Sequence, residues 1–435
     1  MSSSEEFIRR DAAHVIRAWA GVAEPTVVAR AKGALLWDPE GKEYVDCSSG
    51  LFAVNVGHCH PEVVAAIKEQ AEKVMQVSML QTTEALVKHA ELLAEIAPGD
   101  LNKAYYTNGG TESIDTALKC VRLLTGKYEV IVLKNAFHGL TGGALAATGG
   151  VSYHKGFGPL EHGFLRAPHA YCYRCPFNMT YPACDLRCAQ EIENIITDTA
   201  ISTVSEGSIG AVLVEPVQGR GGIIPPDAWL PRLREICTRH GVLLVVDEIQ
   251  TGFGRTGKLW ACDHGNVVPD IFVIAKNVGG GIPAGMVMLN DERAAKIQTG
   301  TTPTHSGNAL ATAAGYAAAK VLLRERLWEN AAAMGKRFSE SFLNAPMSRY
   351  VGQANFKGLM GGVELVLDKK TKQPVPKDKM NQIKLGLHER GVVISFSGPM
   401  GNIFRVQPTL VITPVQVDRV VAAFDDTVTQ VLGKD

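Results

Sequence analysis

An excess of either charge, long apolar runs, internal repeats and low-complexity linkers are all missing from this chain. Lysine plus arginine number 44 and aspartate plus glutamate number 44, so the formal net charge is zero. With no basic stripe or charge block, nucleic acid and anionic membrane surfaces are not expected as partners. No run approaches the roughly 18 apolar residues that read as a spanning helix, so nothing is expected to cross a bilayer. The first residues, Met1 to Phe7, are polar and acidic rather than basic and then apolar. That pattern argues against a secretory signal and for a cytoplasmic location. Disulfides are not expected either, because nine cysteines in 435 residues form no framework and are odd in number.

What is present is the composition of a globular enzyme, 46% hydrophobic and 20% charged. The length exceeds what one compact core usually serves, so two domains are expected. A large one over residues 56–324 and a smaller α+β one from residues 1–55 and 325–435 fit the pattern. Four of the cysteines cluster as Cys172, Cys175, Cys184 and Cys188, among Tyr171, Tyr173, Pro176, Tyr181 and Pro182. They are either free thiols in a packed loop or the ligands of a structural zinc ion.

Strands and helices alternate through the middle of the chain, which predicts a largely parallel sheet covered by helices, an α/β fold. Residues 104–107, 128–133 and 209–216 read as strands. Ile114, Ala117, Leu118, Val121 and Leu124 recur at helical spacing, with Gly126 as the stop. Asp227 is expected to cap a helix carrying Trp229, Leu230, Leu233, Ile236 and Cys237, which ends at Gly241. An alanine-rich helix over 309–324 leads into the C-terminal region, where strands near 360–366 and 404–406 and a helix after Pro414 are expected. Residues 34–46 read as a hairpin.

Two strand ends carry the chemistry. Val242 to Val246 is a buried run ending on Asp247, followed by Gln250 and Gly252. Ile271 to Ala275 is a second run, ending on Lys276 and the glycines 279–281. In an open α/β sheet, ligands sit beyond the carboxyl ends of the strands, where Phe137 and Glu215 also fall. A lysine and an acid so placed are what pyridoxal phosphate requires: an amine for the Schiff base, and a carboxylate that keeps the pyridine nitrogen protonated. Asn108-Gly109-Gly110-Thr111, between a strand and a helix, offers backbone N–H groups and a hydroxyl to a phosphate. Phe137 can stack on a flat ring, and Gln250 can reach its hydroxyl. Each residue also has a plainer role available: a capping acid, a solvated lysine, a capped turn, a core aromatic. The order of all of them together favours the chemical one.

The runs Asp247 to Gly257, Pro269 to Lys276, Gly57 to Pro61, Asn108 to Ser113, Phe137 to Gly139 and Glu215 to Gly219 resemble the class III aminotransferases. These are fold type I pyridoxal phosphate enzymes, and the resemblance covers nearly the whole chain in the family's order. Within the family the likeness is greatest to dialkylglycine decarboxylase and mitochondrial-type alanine–glyoxylate aminotransferase. The resemblance implies that Lys276 bears the cofactor and moves the proton, that Asp247 pairs with the ring nitrogen, and that Gln250, Phe137 and His138 surround the ring. It implies a phosphate held by Gly110 and Thr111, joined by Thr304 of a neighbouring subunit, hence a homodimer or tetramer with shared sites. Arg405 matches the arginine that grips the substrate carboxylate, and Glu215 the acid that pairs with it otherwise. His58 and His60 match a structural turn rather than a metal pair.

Departures bear on the substrate. Leu140 stands where relatives acting on 4-aminobutyrate, ornithine or acetylornithine have an arginine. Leu51 replaces the glutamine that assists decarboxylation, and Asn308 replaces that enzyme's alkali-metal aspartate. A pocket edged by Leu51, Phe52 and Phe137 suits a small or moderately apolar amine donor. The expected reaction is transfer of an amino group from such a donor to a 2-oxo acid by ping-pong half-reactions. A decarboxylation-dependent transaminase and an amino-acid racemase or epimerase are the alternatives.

Overall fold

The structure is a computed structural model describing residues 3–17, 25–198, 207–298 and 302–433. Of the segments assigned above to the small domain, residues 1–2, 18–24 and 434–435 lie outside those described. The first ten strands are β1 (Arg30–Lys32), β2 (Leu35–Trp37), β3 (Glu43–Asp46), β4 (Lys103–Thr107), β5 (Glu129–Leu133), β6 (Phe164–Ala167), β7 (Ile209–Val214), β8 (Leu243–Asp247), β9 (Ile271–Ala275) and β10 (Gly285–Leu289). Six more follow: β11 (Val351–Lys357), β12 (Met360–Asp368), β13 (Gln373–Pro374), β14 (Val392–Val393), β15 (Ser395–Ser397) and β16 (Ile403–Val406).

A seven-stranded sheet in the order β4-β10-β9-β8-β7-β5-β6 forms the centre. Strands β5 to β9 pair in parallel, and β10 runs antiparallel to both β4 and β9. Strand β4 therefore points the same way as β9, and the carboxyl ends of six strands share one edge. Every residue of β7, β9 and β10 is buried. That explains why these strands read as unbroken apolar runs rather than alternating ones.

The expected hairpin is β2–β3, and it joins β14 from the far end of the chain, with Val392 opposite Val45. A third sheet, β11-β12-β16-β15 with β13 beside β12, carries Arg405 between Gly362 and Ser395. Buried Arg255 ties these parts together. Its guanidinium donates to the Leu359 carbonyl (3.2 Å), to Ser49 Oγ (3.3 Å), and to Asn55 Oδ1 and the Pro408 carbonyl.

One expected cap is different. The helix Trp229–His240 follows Ala228 with no side-chain cap, while Asp227 pairs with Lys357. An ammonium within reach competes successfully with a capping bond worth only about 1 kcal/mol. Gly241 does end that helix, in the left-handed region at φ 62°. Among the described residues, no helix is long and apolar enough to cross a membrane.

Candidate active site

At the shared edge of the central sheet lies a cavity of about 250 Å³. Asp247, Lys276, Phe137 and Glu215 line it, each delivered by the end of a parallel strand or the turn that follows. Gly110 and Thr111 line it from the first turn of the helix Gly110–Thr125, with His138 and Gln250 completing that part of the wall. The sheet thus gathers eight of the residues singled out in sequence.

Asp247 is buried, and its two oxygens are already directed. One lies 2.8 Å from His138 Nδ1 and the other accepts from the Ile249 amide at 3.0 Å. His138 has a fully buried side chain, and its amide donates to Thr148 Oγ1 at 3.0 Å. Its Nε2 is buried without a partner among the described residues. Held from both sides, the carboxylate cannot swing away from the cavity.

Lys276 begins the turn after β9 with φ 52°, a left-handed backbone that non-glycine residues rarely adopt. Its ammonium makes no hydrogen bond or ion pair among the described residues. Burial lowers its pKa to about 8, against the raising influence of Asp247 and with a further lowering from Arg405. What surface it keeps faces the cavity, so it is an amine within reach of its neutral form. Glu215 is affected the opposite way. Burial pushes its pKa up to about 7, although it accepts from the amides of Phe137 (2.9 Å) and Gly219 (2.7 Å). Those two bonds define its place. One oxygen accepts from the Phe137 amide and the other from the turn at Gly219, so the carboxylate is held at the cavity wall.

The helix Gly110–Thr125 starts without a side-chain cap, so its first amides remain available. A side chain at Gly110 would be squeezed: its Cβ would lie 3.1 Å from the Ile249 Cδ1. Thr111 Oγ1 accepts from the amides of Leu140 (3.1 Å) and Thr141 (3.3 Å) and lies 3.0 Å from Thr141 Oγ1. Gln250 Nε2 donates to Gln407 Oε1 at 2.6 Å, which fixes its amide orientation. Phe137 meets Tyr153 edge to face at 5.1 Å, leaving its ring half-buried as a wall.

Phe52 and Arg405 do not line this cavity, but they adjoin it. The Phe52 ring centre lies 5.6 Å from Lys276 Nζ and 4.6 Å from Arg405 Cζ. Arg405 also donates to Ser395 Oγ at 2.8 Å. Leu51 is exposed, and Thr304 is exposed outside the cavity of its own chain, its carbonyl accepting from Gln76 Nε2 at 2.8 Å. Ile249 and Thr251 belong to the wall and were not singled out in sequence. Their signal was only their position in the turn after Asp247.

An uncapped helix start over Gly110, a buried carboxylate and a half-buried amine on one cavity, and an aromatic wall fit a flat cofactor with a phosphate and a ring nitrogen. The profile of the family described as Aminotransferase class-III matches residues 18–428. This chain belongs to the class III aminotransferases. It is 41% identical to the acetylornithine aminotransferase of Methanopyrus kandleri over 351 residues, covering 80% of this chain and 83% of that protein. It is 32% identical to the mitochondrial alanine–glyoxylate aminotransferase 2 homolog 2 of Arabidopsis thaliana over 405 residues, 92% of this chain and 82% of that one. A thermostable (S)-enantioselective omega-transaminase from Thermomicrobium roseum superposes with a TM-score of 0.91 at 33% identity, covering 99% of this chain and all of the other. As a class III aminotransferase the protein is a fold type I enzyme dependent on pyridoxal phosphate, and it transfers an amino group from an amino donor to a 2-oxo acid. Neither the decarboxylase nor the racemase alternative is favoured by these relatives.

Proposed function

We propose that this aminotransferase takes small or moderately apolar donors, using Lys276, Asp247, Gly110, Thr111, Phe137, His138 and Gln250 for the cofactor and Arg405 for the substrate carboxylate. The observation that carries this reading is the pairing on one cavity of a buried carboxylate with an amine whose pKa is lowered to about 8. When bound, pyridoxal phosphate supplies a conjugated ring that accepts the electron pair released at the substrate Cα. Lys276 Nζ would hold the cofactor and then carry the proton at Cα. The Asp247 carboxylate, steadied by His138, would keep a proton on the ring nitrogen. The amides at Gly110 and Thr111 would bind the phosphate, and Phe137 would keep water from one face of the ring. Phe52, beneath Arg405, would set the direction from which a carboxylate is gripped.

Leu140, 55% exposed at the cavity rim, offers no charge to a second carboxylate, which supports a donor with only one. The acetylornithine activity named for the Methanopyrus relative is not carried over, because Leu140 stands where an arginine is expected for such a donor. Thr304 lies against Gln76, and four residues further along the chain Leu80 is 96% exposed. That apolar exposure supports a homodimer in which Thr304 reaches the partner's phosphate site. The large domain over 56–324, the small domain from both termini and a cytoplasmic location belong to the same proposal, the last supported by nine unpaired cysteines. The deciding experiment is a donor screen with pyruvate and 2-oxoglutarate as acceptors, with carbon dioxide monitored. Turnover confined to donors with a second carboxylate would overturn the proposed donor class, and carbon dioxide released in step with turnover would put decarboxylation-dependent transamination first.

Two further outcomes are expected. Replacing Arg405 with alanine should raise KM for an α-amino acid donor by roughly 100-fold, the loss of a charge-assisted bidentate contact. An amine lacking a carboxylate should be nearly unaffected, and equal losses for both donors would refute the assignment. Cofactor uptake by the apoenzyme should track the neutral fraction of Lys276. A lowered pKa means protonation below about 8 and free amine above it. The initial rate of colour formation should therefore rise by about tenfold per pH unit up to that point and then flatten. A rate indifferent to pH would contradict the role.

A further inference from the structure

Between the short 3-10 turn Cys172–Arg174 and the helix Arg187–Thr197, residues 175–186 form neither strand nor helix. Only scattered turn bonds hold this stretch, such as the Asn178 amide to the Cys175 carbonyl (3.1 Å) and the Cys184 amide to the Thr180 carbonyl (3.0 Å). An ordered excursion of this length without secondary structure needs another source of rigidity. Its interior is a cavity of only about 20 Å³, and all four clustered cysteines border it together with His169. The volume suits a single ion rather than an organic ligand.

We propose that Cys172, Cys175, Cys184 and Cys188 bind one structural zinc ion in that cavity. Two cysteines come from the 3-10 turn and its exit, one from the end of the loop, and one from the first turn of the helix Arg187–Thr197. Ligands from both ends of the excursion close it as one ring, the arrangement a tetrahedral site requires. No three of the four sulfurs lie within 4.8 Å of one another, so the side chains must rotate inward to coordinate. Binding replaces four S–H bonds by four Zn–S bonds and releases four protons to solvent. Four thiolates leave no open position on the metal, so the ion does no chemistry.

The consequence for the enzyme lies in what the loop holds. Arg174, between two of the cysteines, donates from Nε to Glu364 Oε1 at 2.6 Å, and Tyr171 donates its hydroxyl to the same buried carboxylate. Lys372 Nζ donates to the Tyr173 carbonyl at 2.7 Å. Glu364 lies on β12 two residues from Gly362, which pairs with Arg405. A closed loop therefore braces the strand beside the residue proposed to grip the substrate. This zinc site does not depend on that proposed role.

Elemental analysis of holoenzyme from zinc-supplemented cells should find about one zinc per chain, released by a mercurial thiol reagent. The Cys184→Ser, Cys188→Ser double variant should lose the metal, melt at lower temperature and be cut by protease within 172–188, while keeping the cofactor's absorbance. The exposed Cys59→Ser should retain zinc. Wild-type protein with less than about one tenth of an equivalent, iron in place of zinc, or zinc retained by the double variant would each overturn the proposal. The wild-type metal content decides even where the double variant fails to fold.

Discussion

Lys276→Ala should lower turnover by about 10⁴-fold, the combined loss of the nucleophilic amine and of the proton carrier. The fold should survive, because Lys276 makes no hydrogen bond or ion pair among the described residues and a shorter side chain only widens the cavity. Cofactor should still enter, held by the helix start at Gly110 and by Asp247, but should wash out on dialysis. Borohydride should fix the cofactor to the wild-type chain and not to the variant, a readout that needs no turnover. A variant within tenfold of wild-type turnover, or one still labelled by borohydride, would refute the role. The left-handed backbone at φ 52° adds a check. Glycine, which adopts that conformation freely, should give a more heat-stable inactive enzyme than alanine.

Asp247→Asn should cost about 10³-fold in kcat, near 4 kcal/mol. The amide keeps the shape and can still meet His138 Nδ1, now 2.8 Å from a carboxylate oxygen. It has no charge to hold a proton on the ring nitrogen, so the electron sink is weakened without loss of the site. A cofactor analogue methylated at that nitrogen carries the positive charge permanently. It should restore a large part of the variant's activity while giving little benefit to wild type. Equal benefit to both would show that Asp247 serves only to position His138.

The cofactor half of the site was legible in sequence because the sheet makes it so. Strands β7, β8 and β9 are buried on both faces and end sharply, so the polar residue that breaks each apolar run marks the active edge. The reversed direction of β10 was not legible, since a buried antiparallel strand has the same apolar composition as a parallel one. The destination of Glu215 was also hidden. Its partners are backbone amides at Phe137 and Gly219, and amides carry no mark in a sequence. Asp227 was misread as a cap because the competing ammonium, Lys357, lies 130 residues away.

One local feature near the substrate side could not have been read at all. Ser49, Gly50, Leu51 and Phe52 have φ values of 39°, 61°, 65° and 66°, a complete left-handed turn of which only one member is glycine. Each of the other three costs roughly 1–2 kcal/mol, and alternation patterns give no hint of it. The turn is held by Ser49 Oγ donating to the Gln407 carbonyl at 2.8 Å, across 358 residues of chain, and by the Gln407 amide donating to the Cys47 carbonyl at 2.9 Å. Until those ends meet, nothing compensates the turn, and Phe52 has no fixed place under Arg405 and Lys276. Closing so long a loop comes late in folding, when local and mid-chain contacts already exist. The chain should therefore pass through a form that recognises the cofactor before it can recognise a substrate. Any lesion near either terminus that weakens the closure should leave an enzyme yellow but undiscriminating.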